Sequence, residues 1–572
     1  MKHSRERMGL AQWLVPTALL VALATIVLLR IQAQPMQPYG TDAAHYIEHS
    51  ARLDLLDTVA RVDFGPHSSD DLRSFVEDLD GSFPPLLHLV TAALGEFSSH
   101  SAEGILWSGL LWLSLLGLST AGVAFLLSGS SLASAATFCA VVSIPALHAS
   151  ATRYYYDLPM SAWLWAMLFV MLALRHRALV CALAVSLLMF AACLTKWTAL
   201  PFGLLMLVGA TLSTTHPSSR AARTSLTTRL GTAVGAAALV SILIVMFLDL
   251  AGNHDSFTAM LGDIGERGEI WGPQGVDANR LDAIFDHIFR DLQPLSAERL
   301  RFYGLRSLSS VFSPGICALF LLGTLLWLAF SRRGWPLIVA TVLGQSAFLL
   351  LRIPPTDERF LLTLAPAIAL AAALGWAHLP KQIQTISAAL FIGLSVAVAV
   401  DFHLIKGDGQ GPSRALGVEE LDELLRWGLS DSSDQRGWAR RDQQRDDHEM
   451  QREQLWSELH DCQNEVLQVA SERSLVSDIG ARGDLYWLRY RSRLAELEEG
   501  APRRRVLLSC DEVNADERAL ALSAVRGEGP PRPPRCLKRS QWRLEGEVLP
   551  AGGERRIAVF SRLGPRLCAE LR

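Results

Sequence analysis

Charge is scarce in this sequence, and scarce in one part only. Of 572 residues, 19% are Asp, Glu, Lys or Arg, against about 25% in an ordinary globular chain. Residues 405–572 carry 28 Lys and Arg and 30 Asp and Glu, whereas the preceding 404 residues hold just 52 charges. A uniform soluble globule is excluded: lipid solvates one part and water the other. A strong charge of one sign is also lacking. The net charge of −4 offers no basic surface for nucleic acid. There is no P-loop, and no GxGxxG follows a strand, so no soluble nucleotide fold is indicated. No cysteine pair has zinc-ribbon spacing, and the composition excludes collagen, low-complexity disorder and a disulfide miniprotein.

What is present in abundance is the long apolar run. About 20 mostly apolar residues form a membrane span, because the backbone must satisfy its own hydrogen bonds in hydrocarbon. Eleven such runs stand near 11–29, 104–127, 131–149, 158–174, 178–194, 197–212, 230–250, 307–330, 335–351, 361–377 and 386–403. The stretch 178–212 is too long for one helix, and Lys196 at its middle marks two spans meeting at an aqueous surface. The fold expected is an all-α polytopic membrane protein of about 11 helices, with a smaller soluble α+β region at the C-terminus. Span 1 outruns a signal-peptide core and has no clear small-x-small cleavage site after it, so it is read as retained.

Orientation follows from the basic residues. With the N-terminus cytoplasmic, the short inner segments hold Lys2, Arg5, Arg7, Arg175, Arg177, Arg220, Arg223, Arg229, Arg332, Arg333 and Lys381. The short outer loops hold only Arg153, Lys196, Arg352 and Arg359. An odd number of spans then puts the charged tail outside. Two units are expected. Residues 1–404 form a transmembrane domain with long outer loops 30–103 and 251–306. Residues 405–572 form an external region, helical over 418–500 and mixed over 501–572.

Within the first outer loop, Asp42 to Leu56 reads as an amphipathic helix and Pro84 to Phe97 as a surface helix too short to span. In the tail, Val418 to Leu429 reads as helix. Leu455, Leu459, Cys462, Val466 and Val469 make a seam of about two heptads. Val506 to Ser509 and Arg556 to Phe560 read as strands flanking the proline-rich turn Pro530 to Pro534. Cys139, Cys181, Cys193 and Cys317 fall in spans as packing residues. Cys462, Cys510, Cys536 and Cys568 would face an oxidising compartment, which permits one or two disulfides of unassigned connectivity.

Ionisable residues at the outer ends of spans are functional candidates, since lipid makes them costly. Four groups stand there. In Asp42-Ala43-Ala44-His45-Tyr46-Ile47-Glu48-His49, a helix would bring Asp42, Tyr46 and His49 to one face, and Asp42 could equally be a helix cap. Arg153-Tyr154-Tyr155-Tyr156-Asp157-Leu158-Pro159 offers an interfacial aromatic belt and a second cap. Thr195-Lys196 could be a snorkelling lysine. Asp357-Glu358-Arg359-Phe360 could be an interfacial ion pair.

Taken in order, these groups resemble the GT-C superfamily of membrane glycosyltransferases. The nearest likeness is to the branch of protein O-mannosyltransferases (glycosyltransferase family 39), lipid A aminoarabinose transferases and lipopolysaccharide-core transferases. The family pattern has an Asp with a Tyr four residues on, here Asp42 and Tyr46. A Pro-Pro-Leu element opening a surface helix follows, here Phe83-Pro84-Pro85-Leu86. An outer Asp near a Pro comes next (Asp157, Pro159), then Thr195-Lys196, then Arg359-Phe360 before a late span. The resemblance covers roughly residues 10–380. Ala43 stands where many members have Glu, and Phe83 where many have Lys.

The resemblance implies transfer of a sugar from a polyprenyl-phosphate donor at the outer face of the inner membrane, with inversion at the sugar carbon. A carboxylate can take the acceptor's proton, and cations can hold the departing phosphate. Asp42 would be the base and Asp157 a second catalytic carboxylate. Lys196 and Arg359 would hold phosphate, with Arg153 as a further cation and Tyr46 at the substrate. The partners implied are the lipid-linked donor, a protein, lipid or glycan acceptor, and the bilayer. No cofactor is assigned, and a divalent metal stays open.

Two other classes compete. His45-x-x-Glu48-His49 matches the inverted zinc-protease signature, with Glu77, Asp78 or Asp80 as a third carboxylate. A lipid-linked-sugar transporter or flippase fits the spans but lacks an evident repeat of two halves.

Overall fold

In a computed structural model of the protein, the described residues are 11–33, 86–98, 103–153, 155–196, 198–216, 224–250, 297–300, 303–304, 311–312, 314–330, 334–352, 358–400 and 404, with five strands between 474 and 562. They belong to two compact units, one of helices and one that holds the C-terminal sheet.

The helices are α1 (Ala11–Ala33), α2 (Leu86–Ser98), α3 (Glu103–Ser128), α4 (Ser131–Val142), α5 (Pro145–Arg153), α6 (Asp157–Leu174) and α7 (Ala178–Cys193). After them come α8 (Ala199–Leu212), α9 (Leu226–Leu250), α10 (Ala297–Leu300), α11 (Pro314–Phe330), α12 (Trp335–Arg352), α13 (Ala365–Trp376) and α14 (Lys381–Val400). A 3-10 helix, Glu358–Thr363, runs directly into α13. Each of the eleven apolar runs overlaps helix among the described residues. Among the described residues four helices, in α3, α6, α9 and α14, are long and apolar enough to cross a membrane, and seven shorter apolar ones stand at the other runs.

These helices are apolar all round rather than striped, which suits a lipid exterior. Leu179, Val234, Leu325, Leu343 and Ile386 present large apolar side chains outward. The interior is filled by Trp165, Phe138, Phe312, Phe320 and Phe391, and Phe320 meets Phe312 edge-on at 5.4 Å between centroids. Helix α4 packs against both α13 and α14, α7 packs against α6 and α9, and α8 packs against α12. Helices α11 and α13 come close together where a Cβ on Gly375 would collide with the backbone oxygen of Gly323.

The run 131–149, expected as one span, is two helices. Ser143 caps α4 through its backbone N–H to Cys139 O, and Pro145 starts α5, where its missing N–H costs nothing and its fixed φ suits a first turn. The carbonyl of Val142 accepts from buried His148 Nε2 at 2.7 Å, which closes the break. The run 178–212 divides into α7 and α8 at the turn holding Lys196, as its length requires. Cys139, Cys181, Cys193 and Cys317 are free thiols, the first three buried.

The sheet has strands β1 (Ser474–Ser477), β2 (Arg505–Leu507), β3 (Leu520–Val525), β4 (Trp542–Val548) and β5 (Arg556–Arg562), in the order β2-β1-β3-β5-β4. β1 is parallel to β2 and to β3, while β5 is antiparallel to β3 and β4. A bulge interrupts β4 between Leu544 and Gly546. β2 and β5 fall on the two runs read as strands. β1 lies inside 418–500, which had read as helical throughout; four residues are too few to show a period, and pairing on both sides sets the conformation. The heptad seam, the helix at 418–429, the amphipathic segment 42–56 and the four tail cysteines lie outside the described residues.

Candidate active site

Asp157 opens α6, and Pro159 two residues on has no N–H to leave unpaired in that first turn. The carboxylate sits at the positive end of an 18-residue helix, a placement that favours negative charge. It is buried, with its side chain 3% exposed. An isolated carboxylate there would be costly. Its partner is Lys196, whose Nζ donates to Asp157 Oδ1 at 2.6 Å.

Lys196 is held by the turn between α7 and α8. Lys196 N donates to Ala192 O, and Ala199 N donates to Lys196 O, so the backbone is tied on both sides. Thr195 is buried and spends its hydroxyl on Ala191 O at 2.9 Å. Thr198 Oγ1 lies 3.5 Å from Met160 Sδ, linking the turn back to α6. Leu86 N, at the first residue of α2, donates to Leu194 O at 2.9 Å.

The third member is Phe360. Lys196 Nζ stands 5.1 Å from the centroid of its ring, within cation–π range. Phe360 follows Arg359 in the 3-10 helix, which packs against α5 and α6. Three groups flagged separately, at 157, 195–196 and 358–360, thus converge on one ammonium. Lys196, oriented by a carboxylate and an aromatic face, keeps 23% of its side chain exposed.

Other expected residues are less fully placed. Arg153 is the last residue of α5 rather than part of a loop; its side chain, like that of Arg359, lies outside what is described. Asp42, Tyr46 and the segment His45 to His49 lie outside the described residues altogether. Among the described residues no cluster of His, Cys, Asp and Glu could hold a metal ion. The direct pairing of Asp157 with Lys196, and the role of Phe360 beneath it, were not foreseen. The signal available was the aromatic residue that follows Arg359.

No known family's sequence profile matches this chain, and no curated protein sequence matches it. Solved structures do. ArnT from Cupriavidus metallidurans bound to undecaprenyl phosphate superposes with a TM-score of 0.54 over 97% of this chain and 100% of that one, at 14% identity. The apo state of the same protein gives 0.49 over 89% and 92%, at 15% identity. The chain thus shares the polytopic helical fold of that ArnT structure. At this identity the fold is what the two share.

Proposed function

We propose that this chain is a GT-C glycosyltransferase that moves a sugar from a polyprenyl-phosphate donor to an acceptor on the outer face of the inner membrane. The observation that carries this reading is Lys196, held between Asp157 and Phe360 at one end of a helical bundle. The related fold of ArnT, in a structure bound to undecaprenyl phosphate, supports it.

The sugar of such a donor has its reacting carbon at the membrane surface. An acceptor oxygen attacks that carbon while the bond to the phosphate oxygen breaks, and the electron pair leaves with the polyprenyl phosphate. The acceptor's proton passes to Asp42, and direct displacement inverts the sugar carbon. Lys196 supplies a point charge to the departing phosphate and Arg359 a fork, with Arg153 as an additional cation. Tyr46 contacts the substrate. Asp157 acts through Lys196 as a positioning carboxylate, because its charge is already engaged by the ammonium. In this reading the N-terminus is cytoplasmic and residues 405–572 are external, where they can guide a protein, lipid or glycan acceptor.

The test is mass spectrometry of lipid-linked sugars and envelope glycans from cells with and without the gene. The expected result is a donor lipid that accumulates and a glycan that loses one sugar when the gene is absent. Accumulation of the lipid-linked sugar on the cytoplasmic side, with no purified transfer activity, would instead support a transporter and overturn the reading.

A further inference from the structure

At the other end of α6 lies a second charged site. Eighteen residues at about 1.5 Å each put Arg175, directly after Leu174, roughly 27 Å along the helix from Asp157. That is close to the thickness of a bilayer's hydrocarbon core, about 30 Å. Arg175 is 97% buried, being 3% exposed. Its Nη1 donates to Ser213 O at 3.0 Å, and Arg229 Nη1 donates to the same oxygen at 2.7 Å. Two guanidinium groups therefore converge on one neutral carbonyl.

Among the described residues neither arginine has a carboxylate partner. No Asp or Glu occurs anywhere from residue 158 to residue 248, a stretch that includes α7, α8 and nearly all of α9. Arg175 Nε and Nη2, Arg229 Nε and Thr224 Oγ1 are all buried without a hydrogen-bond partner. Buried polar groups of this kind normally find partners, and like charges side by side repel. Burial and then the neighbouring Arg229 push Arg175 down to about 10, which leaves it charged at neutral pH. The segment that gathers them is itself fixed: Ser213 Oγ donates to Gly209 O and accepts from Leu337 N. Ser225 Oγ caps α9 by accepting from Thr228 N. The donors thus sit on a built scaffold and lack only an acceptor.

An oxyanion with several acceptor atoms would complete the site, and guanidinium forks suit phosphate. The surroundings identify its source. Leu179, Val180 and Leu183 on α7, Leu212 on α8, and Leu226, Leu230 and Val234 on α9 are exposed large apolar residues in the turns beside the arginines. A ligand that is anionic at one end and greasy beyond it matches that surface. We propose that Arg175 and Arg229 form a binding site for the phosphate of an anionic phospholipid, in the leaflet opposite the Asp157–Lys196 pair. This inference stands apart from the sugar-transfer reading, because it uses neither that site nor its substrate.

The test uses the purified full-length protein in detergent, given dioleoylphosphatidylglycerol, dioleoylphosphatidylcholine or inorganic phosphate. Native mass spectrometry reads retained lipid, and thermal unfolding reads stabilisation. Phosphatidylglycerol should be retained and should stabilise, more than phosphatidylcholine. Arg229→Gln, at a half-buried position, should lower that retention roughly tenfold or more, as expected for loss of charge-assisted hydrogen bonds. Arg175→Lys should lower it too, while exposed Arg177→Gln should leave it unchanged. Retention unaltered by Arg229→Gln, or reduced equally by Arg177→Gln, would overturn the site in favour of diffuse surface charge. Inorganic phosphate that stabilises as well as the lipid would overturn the lipid assignment and leave a solution oxyanion.

Discussion

Lys196 Nζ lies 2.6 Å from Asp157 Oδ1, although the two are 39 positions apart in sequence. One helix ends and another begins between them, so the contact exists only once α6 and α7 are packed. The side chain of Asp157 is almost completely covered and that of Lys196 is not. In such a pair the buried partner is committed and the exposed partner is available. This asymmetry fits the proposed division of roles, in which Lys196 meets the phosphate and Asp157 positions it.

The pair can be separated into its structural and chemical parts. Lys196→Met leaves a buried carboxylate without its cation, which is strongly destabilising. The double variant Asp157→Asn with Lys196→Met removes both charges and should recover much of the lost thermal stability. It should not recover sugar transfer, which we expect to stay about 10²-fold or more below the native rate, as when a group stabilising transition-state charge is removed. Lys196→Arg keeps the charge and should retain part of the activity. Transfer that returns together with stability in the double variant would mean that the pair only holds the helices together.

Phe360 should tune this lysine rather than make it. A cation–π contact at a partly covered site is worth about 1 kcal/mol, so Phe360→Leu should weaken donor use by roughly fivefold. Phe360→Trp should preserve it. The measurement is transfer rate against donor concentration, where the effect should appear in KM more than in kcat.

Much of this was legible from residue types. The eleven apolar runs marked the helices because a lipid-facing helix must be apolar on every side. Lys196 marked the division of 178–212, because a charge at mid-membrane is improbable. Pro145 also carried its signal, a helix start inside an apolar run, yet hydropathy passes smoothly over a proline. The sheet was harder to read. Leu520, Ala521, Leu522 and Ala524 of β3 are good helix formers, and pairing with β1 and β5 overrides that preference. The contact of Lys196 with Phe360 could not be read from periodicity, which cannot relate two separate turns; only the aromatic residue after Arg359 hinted at it.

The helix packing makes its own prediction. Helices α11 and α13 meet where Gly323 and Gly375 let their backbones approach, as small residues do in membranes. Gly375→Ala should destabilise by about 1–3 kcal/mol through overpacking. Gly235→Ala on α9, where an added Cβ meets nothing within 4 Å, should be neutral or stabilising. Thermal unfolding of both variants in the same detergent checks the contrast.

Topology is tested at the two ends. A C-terminal alkaline phosphatase fusion should be active and a C-terminal green fluorescent fusion dark, with the reverse at the N-terminus. A cytoplasmic C-terminus beside a cytoplasmic N-terminus would mean an even number of crossings. It would also separate the tail from the face proposed for catalysis.

The sharpest expectation concerns Asp42. A general base contributes about 10²–10⁴-fold to rate, and Asp42→Asn removes the proton acceptor while keeping size and most hydrogen bonding. A helix-cap role would be almost indifferent to the change, because Asn caps about as well as Asp. The same substitution therefore divides the two readings, once an immunoblot has shown equal protein in the membrane. Asp42→Glu is the companion variant, since it retains the carboxylate but displaces it by one methylene. Misplacement alone can cost about 10²-fold. His49→Ala, alongside it, should leave reduced but measurable transfer. Loss of all activity together with a stoichiometric zinc ion would favour the zinc-protease motif at His45 and His49. Asp42→Asn should bind the donor lipid and transfer no detectable sugar; near-native product would remove Asp42 as the base and leave the chemistry to be sought around Lys196.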